Sequence, residues 1–306
     1  MSQKTALITG AYGFVGRHVA RAAAKQGYKV RGIGHGAWGR DEWRNWGLSE
    51  WHSVDVNVES LLTYSGEPDV IFHCAGSGSV AFSMTHPYQD YQRTVATTLS
   101  VLEYLRVNLP QTRLVIPSSA GVYGLAEKMP IATDDPLNPV SPYGLHKKIA
   151  EDLCISYARH FGTKCAIVRL FSVYGIGIRK QLIWDACSKM TAGDFSFAGT
   201  GGETRDWLHV DDAASLMLIA ADNASAACPV VNGGAGVAVK IQEIVDRIAL
   251  RSQLDGRAVF SGRVRQGDPL HYQADTRGAT EWGWHPVKNL ETEIDAYVDW
   301  YLGGAL

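Results

Sequence analysis

A tyrosine and a lysine stand four positions apart in SPYGLHKK, at Tyr143 and Lys147, directly after the turn-rich run DDPLNPVSP. On a helix, residues at this spacing share a face, so the ammonium would lie beside the phenol. A free tyrosine ionises near pH ~10, too high for proton transfer at neutral pH, and a nearby cation favours the phenolate. Such a pair can remove a proton from a hydroxyl while hydride leaves the same carbon for a bound dinucleotide. A third group should hold the reacting oxygen. RLVIPSSAGVYG supplies Ser118 and Ser119 at a strand end, and Ser119 is chosen by its place in the motif.

A YxxxK pair by itself is usually solvated helix surface. Its weight here comes from what lies upstream. The strand TALIT runs into GAYGFVG, with Gly10, Gly13 and Gly16, and then into a helix through VGRHVARAAAKQ. Glycine at a strand-to-helix turn permits close approach of a pyrophosphate, and the helix start supplies N–H donors and a positive dipole. Gly10, Gly13, Phe14, Val15 and Gly16 are therefore cofactor-binding candidates. The bland alternative is a tight turn that binds nothing. A glycine loop, a serine-bearing strand end and YxxxK, in that order, argue for chemistry.

The elements that must position these groups alternate short β-branched runs with helical patterns: TALIT, YKVRGI, WHSVDV, DVIFHCA, RLVIPSS and KCAIVRLF, the last after a helix over about 141–161. This rhythm implies βαβ units, a doubly wound parallel sheet with helices on both faces, and an α/β fold. Residues 1–174 are read as the dinucleotide-binding Rossmann domain. Residues 175–306 are read mainly as a smaller α/β substrate-binding region, with a segment near 205–225 returning to the first domain. Further helical patterns fall at 211–221 and 241–251. The excursion GHGAWGRDEWRNWGLSEW carries Trp38, Trp43, Trp46 and Trp51, read as packing and assigned no function.

The totals narrow the function classes. The 306 residues carry 29 basic and 31 acidic side chains, a net charge of -2, which offers no footprint for nucleic acid or a membrane surface. Five scattered cysteines without CxxC spacing suit a reducing compartment. MSQKTALITG shows no signal-peptide core, and no apolar run is long enough to span a bilayer. The expectation is a soluble cytoplasmic protein without a metal.

The second strand of a dinucleotide-binding fold usually ends in a carboxylate that binds the adenosine ribose. Gly34 stands there instead, and His35 or Arg40 could pair with a 2′-phosphate. NAD and NADP both remain open.

Taken together, GAYGFVG, DVIFHCAG, SSAGVYG, SPYGLHK, VRLFSVYG, TRDWLHVDD and RQGDPLHYQAD followed by WGWHP resemble the extended short-chain dehydrogenase/reductases, the nucleotide-sugar epimerase/dehydratase family, over nearly the whole chain. The resemblance implies a bound NAD or NADP, a nucleoside diphosphate sugar as substrate, and a cytoplasmic homodimer. It implies Ser119, Tyr143 and Lys147 as the catalytic trio, and Asp55, Val56, Cys74, Ala75 and Gly76 at the adenine and ribose. Toward the substrate it implies Arg205 on the diphosphate, Arg265 and Asp268 at the nucleotide end, and Tyr272 lining the sugar pocket, with Ser79 and Ser172 as further contacts. Ser172 replaces a usual asparagine, and Thr94 and Thr97 replace a usual Asn and Gly. The bland readings are a local ion pair for Arg205 with Asp206, and a helix N-cap for Asp211 and Asp212, which stay off the site.

The resemblance implies a 4-epimerase acting on a UDP-sugar through a transient 4-keto intermediate. A 4,6-dehydratase would need an extra acid after the catalytic hydroxyl residue, where this chain has Ala120 and Gly121. A 4-keto reductase using NADPH is the rival reading, ahead of the dehydratase, and a non-catalytic NAD(P)-binding subunit is the remote one. A bulky Tyr272 hints at neutral hexoses over N-acetylated ones.

Overall fold

In the computed structural model, described over residues 3–263 and 270–304, apolar runs become strands buried on both faces. Arg265 and Asp268 lie outside the described residues. The strands are β1 (Thr5–Thr9), β2 (Lys29–Gly34), β3 (Leu48–Ser53), β4 (Val70–His73), β5 (Arg113–Ser119), β6 (Lys164–Leu170), β7 (Ser172–Tyr174), β8 (Ser196–Phe197), β9 (Thr204–His209), β10 (Val230–Gly233), β11 (Ala238–Lys240) and β12 (Val259–Phe260). The helices are α1 (Phe14–Lys25), α2 (Glu42–Asn45), α3 (Val58–Tyr64), α4 (Val80–Thr85), α5 (Pro87–Tyr91), α6 (Thr97–Asn108), α7 (Pro142–Phe161), α8 (Gln181–Thr191), α9 (Val210–Asn223), α10 (Ile241–Ser252), α11 (Arg277–Glu281) and α12 (Leu290–Leu302). A π-helical turn, Gln92–Ala96, joins α5 to α6.

Seven strands form one parallel sheet in the order β10-β6-β5-β4-β1-β2-β3. Successive side chains serve opposite cores. Ala6 and Ile8 of β1 join α1 and α9 on one face, while Leu7 meets α3, α6 and α7 on the other. A strand covered on both sides has no reason to alternate polar with apolar, which is why TALIT and VIFH read as unbroken apolar runs. The doubly wound α/β architecture expected from the sequence is the one observed.

Some elements differ from the sequence reading. The third strand starts earlier than WHSVDV suggests and ends at Ser53, and its register shifts where it pairs with β2. VVNG, within a glycine-rich stretch that reads as irregular, is β10 and extends the main sheet beside β6. Four residues flanked by glycines carry too little pattern to announce a strand. The N-cap of α9 is His209, whose Nδ1 accepts from the Asp211 N–H at 3.2 Å, so Asp211 and Asp212 sit in the first turn instead of capping it. Asp211 binds His18 and Arg21 of α1, which hold its carboxyl well below the usual carboxylate range. Asp212 accepts from the N–H groups of Val287 and Lys288.

A third core, including Tyr174, Ile183, Trp207, Val245, Tyr297 and Tyr301, gathers β7, β9, α8, α10 and α12. It is stapled to the rest by Asp206. This fully buried carboxylate accepts from the backbone N–H groups of Ala235 at 2.6 Å and of Gly236 and Ala274 at 2.9 Å. Asp206→Ala would orphan three N–H groups, each worth ~1–3 kcal/mol when buried and unmet. The expected loss is about 3 kcal/mol or more, read as a lower urea midpoint at unchanged slope.

Candidate active site

In a parallel sheet every strand delivers its carboxyl end to one edge, and the loops there hold the groups with chemical potential. At the end of β1, Gly16 is packed so closely that a Cβ would lie 2.3 Å from the Gly10 carbonyl oxygen. Gly13 is the N-cap of α1 and offers no side-chain acceptor, so the first N–H groups of the helix, at Phe14, Val15 and Gly16, face the edge unclaimed by a cap. A dinucleotide pyrophosphate fits that donor set. Gly34, at the end of β2, has φ +141°, and a Cβ there would stand 3.1 Å from Gly10 Cα and N. A carboxylate side chain at this position would crowd the loop, which is a packing reason for its absence.

His35, just past β2, and Asp55, just past β3, pair at 2.6 Å while remaining mostly exposed. Arg40 is exposed on the tryptophan-rich excursion with φ +35°. That excursion has a structural partner the sequence reading missed. The Arg17 guanidinium donates to the Tyr12 carbonyl and lies about 5 Å from the rings of Tyr12, Trp38 and Trp46, tying the excursion to the glycine loop. An arginine directly after the third loop glycine was the available signal.

Beyond β4, Cys74, Ala75 and Gly76 pass under the cleft; burial pushes the Cys74 thiol up to about 12. His73 is buried, with Nδ1 2.7 Å from Thr9 Oγ1 and Nε2 3.2 Å from Thr98 Oγ1. Burial, and then the Lys147 charge, push its imidazole down to about 3. The folded chain thus keeps His73 neutral where the unfolded chain, with an ordinary value near ~6.5, takes up a proton. This contribution to stability is fully present above pH ~6.5 and declines by about 1.4 kcal/mol per unit as pH falls toward the folded value. Urea midpoints measured at pH 7.5, 6 and 5 should fall more steeply for the wild type than for His73→Gln.

Helix α7 begins with Ser141 as N-cap, accepting from the Gly144 N–H at 3.2 Å, and Pro142 in its first turn. These fix the helix start so that Tyr143 and Lys147 both project under the sheet edge. Ser119, rather than the buried Ser118, faces the phenol: it hydrogen-bonds Tyr143 and accepts from the Gly121 N–H at 3.1 Å. Lys147 donates to the Pro117 carbonyl at 2.9 Å, and its Nζ lies 3.7 Å from where a Cβ on Gly76 would be.

The electrostatics differ from the expectation of a phenol already acidified by Lys147. Burial raises Tyr143 above its ordinary value, the Ser119 bond lowers it, and Asp90 raises it again. The ammonium is aimed at β5 instead of at the phenol, and burial lowers its own pKa, with Cys74, Asp90 and Glu151 acting the other way.

Of the other expected contacts, Ser79 caps α4, accepting from the Phe82 N–H at 3.2 Å. Ser172 opens β7, half-buried. Arg205, on β9, donates to the Thr204 carbonyl at 2.9 Å and lies near Tyr272, whose pKa its charge lowers against the dominant effect of burial. Tyr272 is buried against Phe171, and its hydroxyl donates to the Gly124 carbonyl at 2.7 Å. No group of three or more potential metal ligands clusters among the described residues, and no helix there is long and apolar enough to cross a membrane.

The fold recurs in known proteins. The chain is 28% identical over 306 residues to a putative UDP-glucose 4-epimerase of Methanocaldococcus jannaschii, covering 96% of this chain and 97% of that one. It is 27% identical to UDP-glucuronate 4-epimerase 2 of Arabidopsis thaliana, over 97% of this chain and 75% of the relative. Among solved structures, UDP-glucose 4-epimerase of Thermotoga maritima with UDP-glucose superposes with a TM-score of 0.88 at 25% identity, covering 98% of this chain and 99% of that one. UDP-glucuronic acid 4-epimerase of Bacillus cereus, with UDP-glucuronic acid and NAD, gives 0.85 at 25% identity over 98% and 99% of the two chains. The model of the NAD dependent epimerase/dehydratase family matches residues 6–233, and the chain belongs to that family.

Proposed function

We propose that this protein is a UDP-sugar 4-epimerase that retains NAD. The observation that carries the reading is the meeting of Ser119, Tyr143 and Lys147 beside an uncapped helix start and glycine loop, in a chain matched end to end by UDP-sugar 4-epimerases. When bound, the oxidised dinucleotide supplies the hydride acceptor and one positive charge near the phenol. Phe14, Val15 and Gly16 would hold its pyrophosphate, with His35, Asp55 and Val56 at the adenosine end and Cys74 to Gly76 beneath.

Within that frame the chain's own groups divide the work. Ser119 holds the C4 oxygen of the sugar, and Tyr143 removes its proton as the carbon gives up hydride. Tyr143 must be a phenolate to accept that proton and leaves the step as a phenol, and the nearby Lys147 ammonium favours the phenolate beforehand. After the 4-keto sugar turns over, Tyr143 returns the proton to the alcohol on the opposite face. Arg205, Ser79, Ser172 and Tyr272 would bind the diphosphate and sugar, and Arg265 and Asp268 the nucleotide. Residues up to 174 serve the dinucleotide, and most of 175–306 serves the substrate.

The place a dehydratase would use for its acid borders the trio. A Cβ at Gly121 would lie 3.4 Å from Ser119 Oγ and 3.5 Å from Tyr143 Cε1, yet glycine brings no proton there. Epimerisation, which needs no third acid, is favoured over loss of water. The absence of a carboxylate at Gly34 is what supports the rival NADPH-dependent 4-keto reductase. Proton NMR of UDP-glucose, UDP-glucuronate and UDP-N-acetylglucosamine incubated without added cofactor separates the two. A C4 epimer from one of them is expected; none from any, with NADPH consumed only on a 4-keto sugar, establishes the rival.

The assembly proposed is a cytoplasmic homodimer. Leu99 and Val107 of α6 and Leu145 and Phe161 of α7 are exposed, an apolar surface suited to a second copy. Light scattering on the purified protein should give twice the 33.3 kDa chain mass.

A further inference from the structure

Behind the Tyr143 and Lys147 face, α5 meets α7 through a buried contact that the chemistry above does not use. Asp90 Oδ2 lies 2.6 Å from His146 Nδ1. The aspartate is wholly buried, and its Oδ1 has no hydrogen-bond partner among the described residues. His146 follows Tyr143 by three positions and immediately precedes Lys147, with its ring edge-on to Tyr91.

A carboxylate taken out of water with one oxygen unmet is costly, and apolar side chains would fasten two helices as well or better. Fastening is also provided nearby, since Ser83 Oγ accepts the Tyr143 N–H at 3.0 Å and donates to the Val80 carbonyl at 2.7 Å. A buried charge kept beside a reactive pair calls for an explanation in the pair's chemistry.

Resting on the reading of Tyr143 as the acid–base group of an epimerase, we propose that Asp90, held by His146, is a positioning residue: it places one negative charge behind Tyr143 and Lys147, favouring the ammonium over the amine and the phenol over the phenolate. Of the other titratable groups around this pair, Cys74 and Glu151 raise Lys147 but none acts on Tyr143 as well. On α7, Glu151 is occupied by Arg169. At the end of β4, burial keeps His73 neutral and the Cys74 thiol protonated. From α4 and the π-helical turn, His86 stacks on Phe82 and Arg93 lies over the same ring. Lys180, after β7, donates to the Gly78 carbonyl at 3.0 Å and adds positive charge that disfavours the Lys147 ammonium. Asp90 acts on both members of the pair, raising Lys147 against its burial and raising Tyr143 further.

Asp90→Asn keeps the size and an acceptor for His146 while removing the charge, so the phenolate forms at lower pH. The acid limb of the kcat profile for UDP-sugar epimerisation should move down by about one unit, the scale of one charge acting through a poorly hydrated interior. His146→Gln, which retains the carboxylate and offers it an amide donor, should lower kcat with the limb unmoved. If Asp90→Asn does not fold, Asp90→Ser should give the same shift. A purely structural contact predicts lower thermal midpoints for both variants and no shift in either. An active wild type with an unmoved Asp90→Asn limb overturns the inference alone, whereas a wild type that epimerises no UDP-sugar overturns the epimerase reading and this inference with it.

Discussion

Tyr143→Phe should reduce turnover of the UDP-sugar by roughly 10²- to 10⁴-fold, the range associated with losing a positioned acid–base group. The substitution deletes one oxygen. The ring stays against Gly121, and only the hydrogen bond to Ser119 disappears. Stability and retained dinucleotide should therefore match the wild type, and the deficit should fall on kcat rather than KM, as for an interaction made in the chemical step. Single-turnover measurements on folded variant and wild type check this; a variant with wild-type rates would remove the phenol from the mechanism. The pH dependence has a definite sign as well. Because burial holds the Tyr143 pKa above its ordinary value, activity should rise with pH through the acid limb. For the same reason, activity at neutral pH depends on the positive charge the site gains when its dinucleotide is seated.

Glu151→Leu is the change expected to damage the fold most. Glu151 and Arg169 are both buried, with Arg169 Nε at 3.1 and 3.2 Å from the two carboxylate oxygens and Nη2 at 2.8 Å from Oε2. Arg169 Nη1 also donates to Tyr123 Oη at 2.9 Å and the Thr133 carbonyl at 2.8 Å, and Tyr123 Oη donates to Asn232 Oδ1 at 2.7 Å. The network joins α7, β6, β10 and the turn after β5, four pieces that bring Lys147 and Ser119 to one edge. Removing the carboxylate strands a guanidinium in the interior, which typically costs ~3–5 kcal/mol. The thermal midpoint should fall by on the order of 10 °C. Replacing both partners, as Glu151→Leu with Arg169→Met, should recover much of the loss, because no charge is then left unpaired. Equal destabilisation by the single and double variants would show that packing, and not the ion pair, dominates.

The glycine loop and the shared helix face of Tyr143 and Lys147 were legible because their signals are local. Gly10, Gly13 and Gly16 mark a tight strand-to-helix turn, and Tyr143 with Lys147 marks one face of a helix, each within a stretch of eight residues. The parallel sheet was legible for a similar reason, since Leu7, Ile71 and Leu114 lie in apolar runs whose meaning needs no knowledge of distant chain. Where the local signal was thin, the reading failed. VVNG did not announce β10, and Asp211 suggested a cap that His209 provides.

What tertiary structure alone decided is the partner of each buried or half-buried charge. Asp90 finds His146 56 residues away, Asp211 finds His18 at a separation of 193, and Asp206 finds three N–H groups from two later loops. The same holds for Lys147, directed to the Pro117 carbonyl instead of the phenol four residues before it. Periodicity and turn chemistry act over one or two turns of backbone and are written in consecutive residues. The pairing of a desolvated charge depends on which groups packing brings within about 3 Å, a distance that no spacing along the chain encodes.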